Sequence, residues 1–196
     1  MIAILDYGSG NLRSAQRAFE LTGHKVSLTS DAQEFLSADA HVVPGVGAFG
    51  ACMEQLNAIN GAQLVGQALQ TGKPVFGICV GMQIFFSEGE EKGSHKGLGF
   101  FEGSVSHIDA PVLPHIGWNS VETDSELFSG VEEEMFYFVH SYAAKAAPRD
   151  SRVTWTTYGE RFIAAVEKEN VFATQFHPEK SGAAGAKLIE NWAKKI

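Results

Sequence analysis

The chain has 196 residues, is 44% apolar and carries a formal net charge of −8; that length supports one sizeable core, and a single domain over residues 1–196 is expected. No apolar run approaches the ~20 residues of a membrane span, and an acidic balance without a basic cluster argues against nucleic acid as a partner. Two cysteines, Cys52 and Cys79, argue against a disulfide scaffold and suit a reducing, cytoplasmic setting, and with seven scattered histidines they offer no metal-ligand spacing, so no metal is expected.

The N-terminal Met1-Ile2-Ala3-Ile4-Leu5 lacks a basic leader segment and reads as a first buried strand, Ile2–Asp6. Further strands are predicted at His24–Leu28, His41–Val43 and Pro74–Ile78, alternating with helices at Asn11–Leu21, about Ala51–Ile59, Gln63–Gln70 and Val80–Phe86. Asp31 is placed near the start of a short helix to Leu36. This alternation predicts a largely parallel sheet covered on both faces. Ser87–Gly97, rich in Gly, Glu and Lys, reads as a surface loop. From about residue 98 the pattern changes to strands joined by turns: Gly99–Val105, Trp118–Val121, Met135–Val139, Arg152–Thr157, Phe162–Val166 and Val171–Phe176. An antiparallel portion of the sheet is therefore expected in the second half. The last helix, Ser181–Lys195, is expected to be capped by Ser181 and to bury Leu188 and Trp192.

Four loops carry chemistry-bearing patterns. Gly8-Ser9-Gly10-Asn11-Leu12-Arg13 has Arg where a dinucleotide loop needs its third glycine, so nucleotide binding is rejected there. Pro44-Gly45-Val46-Gly47 follows a buried strand, and its glycines allow close backbone approach with N–H groups turned to a ligand. Alone it would be a tight turn. Beside Gly77-Ile78-Cys79-Val80-Gly81 it reads as an oxyanion and substrate loop, because this second segment has the nucleophile-elbow form with cysteine in place of serine. The turn exposes Sγ at a helix N-terminus, where the dipole favours thiolate. A buried structural cysteine is the competing reading on that segment alone. Phe176-His177-Pro178-Glu179 shifts the balance, since a thiol nucleophile needs a base and the base needs an orienting group. Cys79, His177 and Glu179 together read as a catalytic triad.

The elbow and His177-Pro178-Glu179 resemble the class I (triad-type) glutamine amidotransferase family. Pro44-Gly45-Val46-Gly47, Pro114-His115-Ile116-Gly117-Trp118-Asn119, Tyr137-Phe138-Val139-His140-Ser141-Tyr142 and Lys180-Ser181 are similar to its histidine-biosynthesis branch. Val80, where relatives often carry Leu, is a volume-similar departure. The resemblance implies a flavodoxin-like α/β fold with a central mixed, largely parallel sheet flanked by helices. It implies hydrolysis of glutamine through a glutamyl thioester on Cys79, with His177 as acid and base and Glu179 orienting it. Substrate contacts are expected from Gly45, Val46, Gly47, Val80, Gln83, Ser141 and Tyr142, without a cofactor. It further implies a heterodimer with a separate (β/α)8-barrel synthase chain, to which ammonia passes for making imidazole glycerol phosphate and aminoimidazole carboxamide ribotide. Asn11, Trp118, Tyr137 and Lys180 are expected near that interface. Two other readings stay open: an amidotransferase of a branch serving anthranilate, nucleotide or pyridoxal phosphate synthesis, and a catalytically silent regulatory subunit. A cysteine peptidase has no peptide-groove signal behind it.

Overall fold

A computed structural model describes all residues, Met1–Ile196. Its centre is a seven-stranded sheet made of β1 (Ile2–Leu5), β2 (Val26–Thr29), β3 (Ala40–Gly45), β4 (Val75–Cys79), β11 (Arg152–Tyr158), β12 (Glu160–Lys168) and β13 (Val171–Thr174). The spatial order is β11-β12-β13-β4-β3-β1-β2. The five strands from β13 to β2 are parallel, and β12 runs antiparallel to both of its neighbours. The parallel part thus has the 2-1-3-4-5 flavodoxin order.

Every residue of β1, β3, β4 and β13 is buried, as strands covered by helices on both faces must be. Helices α1 (Leu12–Glu20) and α6 (Gly182–Ala193) pack together on one side, while α2 (Ala32–Ser37), α3 (Phe49–Ala58) and α4 (Gly61–Gln70) pack together on the other. Phe19 of α1, Phe76 of β4 and Trp192 of α6 meet with ring centroids 5.4–5.6 Å apart. These contacts, edge-on for Phe19 with each partner and tilted between Phe76 and Trp192, join the first helix, the central strand and the last helix through about 0.5–1.5 kcal/mol per pair beyond area burial. Leu188 and Trp192 are buried as the apolar spacing requires, and the Asp31 carboxylate accepts from Glu34 N–H at 2.8 Å as a cap.

Three expectations are corrected. The helix expected over Val80–Phe86 is only α5 (Val80–Gln83), and β5 (Phe86–Gly89) begins where it was to end. Phe85 and Phe86 are the reason: both are buried against Phe101, which draws the chain into a strand instead of another helical turn. The segment expected to be a loop consequently holds the end of β5 and β6 (His95–Lys96) in a tight hairpin. Its glycines answer to packing: a Cβ on Gly89 would lie 2.4 Å from the Phe49 ring, and one on Gly97 would lie 2.1 Å from the Phe86 carbonyl oxygen. Finally, Ser181 does not cap α6. Its hydroxyl donates to His177 O at 2.7 Å and accepts from Tyr137 N–H at 3.0 Å, fixing the loop that precedes the helix.

The second half adds β12 and β11 to the main sheet through antiparallel pairing, and it also builds two separate sheets. One has the order β10-β7-β5-β6, where β7 is Phe101–His107 and β10 is Tyr142–Ala144; the other is the hairpin of β8 (His115–Ser120) with β9 (Met135–His140). In open parallel sheets, ligands bind beyond the carboxyl ends of the strands. The loops after β1, β3, β4 and β13 therefore converge on one edge, and these are the four loops singled out by sequence.

Candidate active site

Cys79 ends β4 and begins α5 with φ +55° and ψ −112°. A non-glycine residue rarely holds such a φ, and its cost of about 1–3 kcal/mol has to be carried by the surrounding structure. The flanking glycines make the turn possible. A Cβ on Gly81 would sit 1.9 Å from Val43 O, and one on Gly45 would sit 2.6 Å from Gly81 N. The elbow thus packs backbone to backbone on the end of β3, with Gly45 in register with Cys79. This close approach brings the Gly45–Gly47 segment to the nucleophile.

His177 follows β13, the strand on the other side of β4. Its Nδ1 lies 2.8 Å from Glu179 Oε1, both side chains are almost wholly buried, and Glu179 Oε2 has no partner in the protein. Burial works against a charged ring. Negative charge on Cys79, a hydrogen bond with it, and Glu179 outweigh that and raise the His177 pKa to about 10. The arrangement favours an imidazolium at the nucleophile, held by the Glu179 carboxylate behind it. The aromatic side chains of Phe128, Phe136, Phe138 and Phe176 cluster beneath this loop.

Cys79 and His177 line one cavity of about 530 Å³, together with Val46, Gly47, Val80, Gln83, Ser141, Tyr142 and Lys180. Of the expected substrate contacts only Gly45 is set back, behind the elbow. Gln83 is buried and donates through Nε2 to the Tyr142 carbonyl at 2.9 Å. The Val46 N–H donates to Ser9 Oγ at 3.1 Å, and its carbonyl lies 3.0 Å from Ser9 Oγ and 3.1 Å from Cys52 Sγ. The Gly45–Gly47 segment is thus held by the loop after β1. Tyr7 reinforces this by donating its hydroxyl to Pro44 O. Burial, with Cys52 close by, raises the Tyr7 pKa well above its usual value, and burial likewise raises that of Cys52, so both act as neutral groups.

Several cavity residues escape sequence reasoning. Glu91 and Lys92 arrive on the β5–β6 hairpin, whose composition is that of a plain loop, while Pro114 and His140, which belong to the aromatic motifs but carry no expected site role, come from the ends of β8 and β9. His140 lies 3.2 Å from His115, and its Nδ1 donates to Tyr142 O at 3.0 Å. Burial lowers the pKa of His140 to about 3 and that of His115 to about 4, so both rings are neutral.

Of the residues expected at an interface, Lys180 lines the cavity and Asn11, Trp118 and Tyr137 lie outside it. Asn11 is exposed at the entry to α1, which packs against the Pro178–Lys180 turn carrying Lys180. Trp118 is 52% exposed and meets half-buried Tyr137 across the β8–β9 hairpin at 5.9 Å. Ile116 and Met135 extend the same apolar face.

Residues 3–196 match the family described as Glutamine amidotransferase class-I. The chain belongs to the class I glutamine amidotransferase family. This amidotransferase is 53% identical over 203 residues to the imidazole glycerol phosphate synthase subunit HisH of Corynebacterium diphtheriae, with 97% of each chain covered. It is 51% identical over 209 residues to the subunit of the same name from Nocardia farcinica, covering 100% of this amidotransferase and 98% of the relative. Among solved structures, a glutamine amidotransferase crystal structure superposes with a TM-score of 0.80 at 17% identity, covering 99% of this amidotransferase and 97% of that chain. PurLQS from Thermotoga maritima gives 0.73 at 20% identity, with 98% and 97% covered. These low-identity neighbours establish the fold of this amidotransferase as an α/β sheet flanked by helices.

Proposed function

We propose that this amidotransferase is the glutaminase subunit of an imidazole glycerol phosphate synthase, hydrolysing glutamine to glutamate and ammonia for histidine biosynthesis. The observation that carries the reading is a strained cysteine elbow sharing one cavity with a buried His177–Glu179 pair. The near full-length identity to the HisH subunits supports the choice of branch.

In this reading glutamine lies with its carboxamide over Cys79, contacted by Gln83 and by the Ser141–Tyr142 segment. The Sγ thiolate adds to the carboxamide carbon, and the oxyanion is held by the Val80 N–H at the start of α5 and by a donor of the Gly45–Gly47 segment. The C–N bond then breaks as His177 gives its proton to the departing ammonia, leaving a glutamyl thioester. Water adds next, with His177 taking its proton; the C–S bond breaks and the electron pair returns to sulfur. Glu179 keeps the His177 ring oriented throughout. One domain over residues 1–196 holds all of this chemistry, in the cytoplasm and without a cofactor. Ammonia passes to a synthase partner of (β/α)8-barrel form docked over Asn11, Trp118, Tyr137 and Lys180.

The experiment is glutamate release from glutamine by the chain alone and with a matched barrel synthase and its ribotide ligand. Low activity alone, a sharp rise with that partner and none in Cys79→Ala is the expected pattern. Full activity alone, or indifference to the partner, would assign the chain to another branch of the family.

A further inference from the structure

Gln175 lies between the end of β13 and His177. Its side chain is fully buried, and its backbone N–H donates to Ala164 O at 2.8 Å. A buried amide must have its polar ends matched, and here one backbone carbonyl decides which end faces which. The Tyr142 carbonyl can only accept, so the Gln83 group 2.9 Å from it is Nε2. The same Nε2 lies 3.0 Å from the Gln175 amide oxygen. Gln175 therefore turns its own Nε2 toward Cys79 Sγ, 3.8 Å away. Flipping either amide would set like groups face to face, so the sulfur faces a donor.

We propose that Gln175 supports the Cys79 thiolate from the core side, opposite the cavity, and links the nucleophile to Gln83. An N–H donor stabilises a sulfur anion more than a thiol or a thioester sulfur. Gln175 thus favours the attacking thiolate and again the sulfur that leaves when the thioester is hydrolysed. It touches the reacting atom without reaching the cavity, which separates its role from that of the glutamine-contacting residues. The titratable groups around this sulfur are His177 with Glu179 behind it, Tyr7 from the loop after β1, and Cys52 from α3. Gln175 is uncharged, so replacing it by an apolar residue moves the thiol without altering the charges around it.

The inference rests on Cys79 being the nucleophile, and the test separates the two. Alkylation of Cys79 by iodoacetamide is followed by mass spectrometry as a function of pH, with buried Cys52 as internal reference. The same variants are assayed for glutamine turnover in the complex with the synthase partner. Gln175→Met keeps the volume and removes the donor. It is expected to raise the alkylation midpoint by about one pH unit, and to lower kcat roughly tenfold at nearly constant KM. Gln175→Glu keeps an acceptor for Gln83 and sets a carboxylate against the sulfur. Its midpoint is expected to rise at least as far, and it serves where Gln175→Met fails to fold. An unchanged midpoint in the folded variants, or a change in KM alone, would overturn the role assigned to Gln175. Turnover surviving in Cys79→Ala would overturn the underlying reading instead.

Discussion

A single hydroxyl, Ser9 Oγ, accepts from the Val46 N–H at 3.1 Å and lies 3.0 Å from the carbonyl oxygen of the same residue. Both polar ends of Val46 are thereby turned toward the loop after β1, so its N–H is committed away from an oxyanion at Cys79. A trans peptide points its N–H opposite to its C=O, which aims the Gly47 N–H away from the Ser9–Cys52 cluster. Gly47 holds φ +90°, a conformation glycine enters at little cost. Ser9→Ala is expected to free the segment and change glutamine hydrolysis without the partner by up to about 10²–10³-fold, the scale of one oxyanion donor. Steady-state glutamate release by the isolated chain measures it; a change under twofold would remove Ser9 from the control of the loop.

Glu179→Gln preserves shape and removes the charge behind His177. Because the His177 pKa is raised to about 10 in part by Glu179, the loss lowers it, and the high-pH limb of partner-stimulated turnover is expected to move to lower pH. Loss of the orienting carboxylate is expected to reduce kcat by about 10²–10⁴. A pH–rate series on wild type and variant decides both.

Three buried histidines make the fold acid-sensitive. His41, His115 and His140 have pKa values lowered to about 4, 4 and 3, with burial the first cause in each. The unfolded chain binds protons at these sites from about pH 6.5 downward while the folded chain refuses them. Stability is therefore full above that pH and falls as the pH drops toward 4, by about 1.4 kcal/mol per pH unit for each histidine in its window. His41 packs against the Phe35 ring at a tilt, and neither of its ring nitrogens has a hydrogen-bond partner. His41→Leu is expected to flatten this slope in urea midpoints measured across that range, and an unchanged slope would exclude His41 as a source.

Trp118 stands on an open hairpin face and makes little of the core. Trp118→Ala is expected to shift the melting point little, yet to weaken association with the synthase partner by about 2 kcal/mol or more. Calorimetric titration of the two chains reads this, and unchanged affinity would place the interface elsewhere.

Two glycines should respond in opposite directions to the same substitution. Gly81→Ala drives a Cβ into the Val43 carbonyl, where backbone cannot yield, and should cost about 3 kcal/mol or abolish folding. Gly66 lies within α4, and a Cβ added there would meet nothing within 4 Å. Gly66→Ala should stabilise by about 0.5–1 kcal/mol. Denaturant unfolding of both variants gives the comparison.

Much of this architecture was legible because it rests on local chemistry. The parallel half follows from buried apolar runs separated by amphipathic helices, and the elbow follows from glycines spaced about one cysteine. The β5–β6 hairpin is hidden because its charged, glycine-rich residues mimic a solvated loop, while close contacts with Phe49 and Phe86 are what order them. Gln175 is hidden because a buried amide just past the end of a strand has no spacing signature; only the three-dimensional chain Tyr142–Gln83–Gln175–Cys79 gives it meaning. Ser181 misleads for the opposite reason. A serine before a helix has the form of a cap, but long-range partners at Tyr137 and His177 take its hydroxyl.

The elbow seated on β3 also has a bearing on how the protein assembles. Ser9, Val46, Cys79 and His177 are far apart in the chain and become neighbours only when β4 is zipped between β3 and β13 in the correct register. Contacts of such sequence separation form late and slowly. A slip of one residue in β4 would turn Cys79 to the opposite face. During refolding, the return of fast alkylation at Cys79 should therefore lag behind the recovery of helical signal, making this thiol a chemical clock for closure of the central sheet.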